Sequence, residues 1–105
     1  MTNKTIIIRT NWDKKQKKGG WAATCIENGR TISDIAFMTT SDKLSLMAMT
    51  EATKAFGGTG IKLRFVNKNG RAVAAIRKPS SSVNCAYGRE FRATARATGS
   101  RWTFR

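Results

Sequence analysis

The sequence predicts an α/β domain in the order βββαβααβ, a mixed five-stranded sheet with helices packed on it. Thr5-Ile6-Ile7-Ile8 is a β-branched run and Ile61-Lys62-Leu63-Arg64-Phe65 alternates strictly, both signatures of strands. Glu27-Asn28-Gly29-Arg30 sets an Asn-Gly turn between two more strand patterns. Two long helical patterns each follow hydroxyl-bearing cap residues and each ends at glycine.

Along the chain, the run at Thr5–Ile8 is apolar on consecutive positions, which suits a central strand covered on both faces. Residues 11–20 read as a polar loop, with Lys14, Lys15, Lys17 and Lys18 closed by a Gly19-Gly20 turn. Residues 21–26 form the second strand, and residues 31–38 the third, with Ile35 and Phe37 alternating. Thr40, Ser41 and Asp42 offer cap oxygens to a first helix whose Leu44, Met47, Ala48, Ala52 and Ala55 share one face and which Gly57-Gly58 ends. The fourth strand, residues 61–66, follows a helix, so it joins the sheet in parallel. Residues 71–78 read either as a hairpin strand after Asn69-Gly70 or as a short helix ended by Pro79. Three alanines favour the helix. Ser80-Ser81-Ser82 caps a helix from Val83 to about Ala97, with Val83, Ala86, Tyr87 and Phe91 on its apolar side, and residues 101–105 alternate as a last strand.

The chain has 105 residues, 20 Lys+Arg against 6 Asp+Glu, and a net charge of +14. One domain over residues 1–105 is the expectation at this length. The charge makes a polyanion the expected partner, most simply nucleic acid. It is uneven: residues 61–105 hold eleven basic residues and only Glu90, whereas residues 1–60 hold nine basic and five acidic. Two cysteines, Cys25 and Cys85, without histidine do not fill a four-ligand zinc site, and no histidine-dependent triad is available. Cys25 reads as a small buried residue of a reduced protein. No signal peptide or membrane-length apolar run is visible, so the expected localisation is cytoplasmic, with no membrane partner and no cofactor.

Three segments carry a resemblance: Gly19-Gly20-Trp21-Ala22-Ala23, the stretch from Thr39 to Ala48, and Val83 through Phe104 with its Arg101-Trp102-Thr103-Phe104 strand. In order and spacing they resemble the ribonuclease H family, over nearly the whole chain and without the family's final helix. That family cleaves RNA in RNA–DNA hybrids with metal ions held by four carboxylates. The resemblance places Asn11, Ser45 and Asn67 at three of those positions, and the fourth beyond Arg105. A shifted register offers Asp13 and Asp42, but the fourth strand still ends in Asn67. Amides and a hydroxyl do not replace carboxylates around hard divalent cations. The implied protein is a non-catalytic nucleic-acid binder with no catalytic or metal residues, of phage or mobile-element type.

The candidate contacts follow from that placement. Lys14, Lys15, Lys17, Lys18, Lys43 and Lys68 flank one end of the expected sheet and suit phosphates, with Asn11, Ser45 and Asn67 hydrogen-bonding sugar or phosphate. Trp12 interrupts a polar loop, either to stack on a base or to anchor the loop on the core. Arg89, Arg92 and Arg96 form a basic stripe, either a second phosphate face or the solvated side of a helix. RNA–DNA hybrid, double-stranded RNA and double-stranded DNA are the expected ligands. The alternative is a small inhibitor or adaptor, of viral type, that binds an acidic host protein or a nucleic-acid enzyme.

Overall fold

A computed structural model describes residues 2–37, 40–77 and 83–104. Its elements are β1 (Thr2–Asp13), β2 (Lys18–Cys25), β3 (Thr31–Phe37), α1 (Ser41–Phe56), β4 (Ile61–Val66), α2 (Gly70–Arg77), α3 (Val83–Thr98) and β5 (Arg101–Phe104). The strands lie in the order β3-β2-β1-β4-β5. β1 runs antiparallel to β2 and parallel to β4, β2 antiparallel to β3, and β4 parallel to β5. The parallel entry of β4 and the helical reading of residues 70–77 both agree with the sequence. Pro79 and the Ser80–Ser82 cap, together with Met38, Thr39, Lys78 and Arg105, lie outside the described residues, as do the side chains of Val83 and Cys85.

β1 is longer than its β-branched run. Asn11, Trp12 and Asp13 pair with Gly20, Gly19 and Lys18, so the expected polar loop is a continuous hairpin with a turn at residues 14–17. Gly19 and Gly20 therefore lie within β2 rather than forming a turn. Gly19 is required by close approach: a Cβ there would meet Leu44 Cδ2 at 2.8 Å and Trp12 Cα at 2.9 Å. The opposite end of the β1–β2 ladder is closed by Glu27, whose Oε1 accepts from the Thr5 backbone N–H at 2.6 Å. That bond holds the Glu27 carboxyl below its ordinary range. The β2–β3 loop turns at Gly29 with φ 70°, as the Asn-Gly signal predicts.

Side chains alternate across the sheet. Ile6 and Ile8 of β1, Trp21, Ala23 and Cys25 of β2, and Leu63 and Phe65 of β4 are buried on one face. All three helices pack on that face: α1 against β1 and β2, α3 against α1 and β5, and α2 against α3 and α1. Among the described residues, nothing covers the other face. β1 is thus central, as expected, but covered on one face only, and its Ile7 is half-buried.

Thr40 caps α1, its Oγ1 accepting from the Lys43 backbone N–H at 3.2 Å. The helix buries more than one apolar stripe: Leu44, Leu46, Ala48, Met49, Ala52 and Phe56 are enclosed, with Thr50 and Thr53 bonding the Leu46 and Met49 carbonyls at 2.9 Å. Ala55, expected on the apolar face, is exposed. Lys4 Nζ donates to the last α1 carbonyl, Phe56 O, at 3.1 Å.

α3 buries Gly88, Phe91 and Ala95, an i, i+3, i+7 line, while Ala86 is exposed against expectation. The reason is Gly88, which brings α3 onto the backbone of α2: a Cβ there would overlap the Ala75 carbonyl, 2.9 Å from its carbon. Phe91 packs edge-on against Phe65 and Trp102, with ring centroids 5.6 Å apart in both pairs. α3 ends at Gly99, φ 75°, with Ser100 N bonded to Ala95 O and Gly99 N to Arg96 O, a Schellman motif.

Two outcomes follow. Gly88→Ala lowers unfolding stability by about 1–3 kcal/mol through overpacking, whereas Gly20→Ala, whose Cβ meets only Asp34 O at 3.8 Å, is tolerated; urea denaturation of both variants checks this. Because the folded-state pKa of Glu27 is lowered from 4.5, its contribution is present above that value and is lost as pH falls through the lowered one. Glu27→Gln removes that component of the pH–stability profile measured by denaturation between acid and neutral pH.

Candidate nucleic-acid interface

The β1–β2 turn presents three exposed lysines, Lys14, Lys15 and Lys17, at the tip of the hairpin. Asp13 organises it: its Oδ1 accepts from the backbone N–H of Lys15 at 2.9 Å and of Gln16 at 3.3 Å. Lys17 takes a left-handed φ of 50°. Lys18 begins β2 between Asp13 and Phe37 and is half-buried. The lysines are therefore carried on a hydrogen-bonded turn, and Asp13 is engaged in forming it.

The positions assigned by the resemblance divide between the two faces. Ser45 is 1% exposed and its Oγ accepts from Asn69 Nδ2 at 3.5 Å, while the same nitrogen donates to Asp42 Oδ1 at 2.9 Å. Asn67 Oδ1 accepts from the Asn69 backbone N–H at 3.0 Å, and its Nδ2 reaches Met49 Sδ at 3.5 Å. Asn69 Oδ1 in turn caps α2 by accepting from Ala72 N at 3.1 Å. Ser45, Asn67, Asn69 and Asp42 are thus one internal network that ties the start of α1 to the start of α2. Asn11 is not part of it. As an odd-numbered β1 residue it faces the uncovered side with Arg9, whereas the β1 residue that shares the face of α1 at this end is Thr10. The expected convergence of Asn11, Ser45 and Asn67 does not occur. Buried Ser45 has no surface with which to contact a phosphate.

Trp12, expected in a loop, is a β1 residue on the helix face, half-buried against the core. The arginine stripe on α3 is also divided. Arg92 Nε donates to Ile76 O at 2.7 Å and Nη2 to Arg77 O at 3.3 Å, with its guanidinium 5.4 Å from the Trp102 ring centre. It satisfies the last carbonyls of α2 and is a structural residue. Arg89 and Arg96 remain exposed on α3, Lys68 is exposed after β4, and Lys43 lies over the Tyr87 ring at 5.8 Å.

The uncovered sheet face holds basic residues that the sequence reading passed over. Arg9, Lys62, Arg64 and Arg101 share it with Lys18, and the pairings Asn3–Lys62–Arg101 and Thr5–Arg64–Thr103 run across neighbouring strands. The signal was available in the alternation of residues 61–65, whose polar positions are Lys62 and Arg64. Toward β3 the same face carries Ile35, 65% exposed, and Phe37, 78% exposed. A shallow groove of ≈ 860 Å³ crosses it, with Gly20 and Ala22 at its floor and Arg9, Asn11, Lys18 and Ile35 among its walls.

Among the described residues no three His, Cys, Asp or Glu side chains are grouped to hold a metal ion, and no helix is long and apolar enough to cross a membrane. The sequence matches no protein-family model and none of the curated proteins. The internal network makes a structural prediction: Asn69→Ala removes the α2 cap and leaves Asp42 and Ser45 without that donor. It lowers stability by about 1–2 kcal/mol, as read by thermal or urea unfolding.

Proposed function

We propose that the chain is a non-catalytic nucleic-acid-binding protein on a degenerate ribonuclease H-like fold, which holds a sugar-phosphate backbone against a basic face. The observation that carries this reading is uncompensated charge, 20 Lys+Arg against 6 Asp+Glu. Five of the six acids are also engaged locally: Asp13 in its turn, Glu27 on Thr5, Asp34 on the Ile35 N–H, Asp42 with Asn69, and Glu51 with Lys54. The exposed lysines of the hairpin turn, with Lys68 and Arg96, face solvent where phosphates can reach them, and such contacts make affinity fall with salt.

Two features support the fold-level part of the reading. β1 is central between antiparallel β2 and parallel β4, and α1 crosses them with Ser45 near the end of β4. Thr10, Ser45 and Asn67 at that end offer no carboxylate, and the neighbouring Asp42 is one acid, bonded to Asn69, where paired divalent cations need several. RNA–DNA hybrid and double-stranded RNA are the proposed ligands, with double-stranded DNA as the comparison.

The test is fluorescence anisotropy with labelled hybrid, double-stranded RNA and double-stranded DNA over a range of salt. Binding weakens steeply with salt. Replacing Lys14, Lys15, Lys17 and Lys18 with Ala lowers affinity across sequences and flattens the slope of log affinity against log salt, by up to about one unit per lost contact. Magnesium or manganese yields no cleavage of the hybrid. Indifference to all three ligands at low salt would point instead to an acidic protein partner.

A further inference from the structure

The uncovered face of the sheet is built differently from the lysine turn. It combines basic side chains with exposed apolar ones in fixed register. Phe37 stands beside Lys18, Ile35 beside Gly20 and Asn11, and Ser33 beside Ala22 and Arg9. Beyond them lie Ile7 beside Val66, then Arg64, then Lys62 with Arg101. A path from β3 to β5 therefore begins at an aromatic and an aliphatic side chain, crosses a floor without bulky groups at Gly20 and Ala22, and continues past cations. At the usual strand spacing the platform is about 19 Å wide.

Charge selects what occupies it. Arg9, Lys18, Lys62, Arg64 and Arg101 bring five positive charges to the face. The nearby carboxylates, Asp13 in its turn, Asp34 on the Ile35 N–H and Glu27 on Thr5, are hydrogen-bonded to backbone. A second copy docked through this face would set those cations against their own kind, which opposes self-association. An anionic partner is required. A duplex offers its backbone to the cations but keeps its bases stacked away from Ile35 and Phe37. A single strand can do both, resting an unstacked base on Phe37 and the flat Gly20–Ala22 floor while its phosphates pass the arginines.

We propose that the uncovered sheet face binds single-stranded nucleic acid, with Phe37 and Ile35 as the base platform and Arg9, Lys18, Arg64, Lys62 and Arg101 as backbone contacts. This rests on the nucleic-acid reading above but assigns a different surface, which shares only Lys18 with the lysine set, and a different form of ligand.

The test uses the full chain and labelled single-stranded RNA and DNA of about 12 nucleotides, within the range that one sheet platform covers, beside a hybrid duplex. Phe37→Ala lowers single-strand affinity by about tenfold, and Arg9→Gln with Arg64→Gln reduces the salt slope by about 1.4. Hybrid binding is unchanged by Phe37→Ala. Since Phe37 is exposed, melting curves of the variant match the parent and exclude misfolding as the cause; Ile35→Ser serves as a second variant. Unchanged single-strand affinity in both Phe37→Ala and Ile35→Ser overturns the proposal. If hybrid binding then still responds to the lysine substitutions, the broader function stands; if no nucleic acid binds the parent, both fall. Sedimentation showing a dimer that Phe37→Ala dissociates also overturns it, by assigning the face to a second copy.

Discussion

The packing of α1 across β1 and β2 is the contact on which the other elements depend. It is possible only because Gly19 leaves the space into which Leu44 fits, beside the Trp12 backbone. With α1 seated there, Leu44, Leu46, Met49 and Phe56 are removed from water, at roughly 1.5–3 kcal/mol for each large side chain. The remaining sides of α1 then receive α2 and α3. Its buried threonines turn their hydroxyls back onto α1 carbonyls, so the helix is enclosed without unpaired polar groups among the described side chains. α2 has little direct hold on the sheet, and α3 reaches it through Phe91 against Phe65 and Trp102. They are fixed through α1, through the Gly88 approach to Ala75 and through the aromatic contacts of Phe91.

Helix termini account for much of the polar chemistry. Lys4 and Arg92 take up the last carbonyls of α1 and α2, while Thr40 and Asn69 cap their beginnings. In a chain this basic, such residues resemble ligand contacts until their partners are known. Arg92 illustrates the distinction. Its charge lies over Trp102 and against backbone carbonyls, where it completes a helix. Arg89 and Arg96, a turn away on the same helix, are exposed.

A single helical layer also determines where function can reside. Covering one face of the sheet stabilises the core and leaves the other in solvent, where the strand alternation that buries Leu63 and Phe65 necessarily presents Lys62 and Arg64. Burial and presentation of charge are two consequences of one pattern. The polar residues at the start of α1, by contrast, are engaged by their own network with Asn69.

By itself the sequence determined the element order, the Asn28-Gly29 turn, the Thr40 cap, the parallel entry of β4 and the large excess of positive charge, because each depends on local spacing or composition. Cys25 as a buried, free thiol was also legible from its apolar strand. Tertiary structure decided what local pattern cannot encode. Asn11 to Asp13 became strand because β2 supplied their ladder partners, and Gly88 became a core position because its missing side chain, rather than an apolar one, admits α2. Which face each residue occupies was settled by where α1 packs: Asn11 turned to solvent, Ser45 inward, and Arg9, Lys62, Arg64 and Arg101, scattered over more than ninety positions, came together on one surface. Side-chain convergence depends on strand register and layer placement, and both are properties of the assembled sheet.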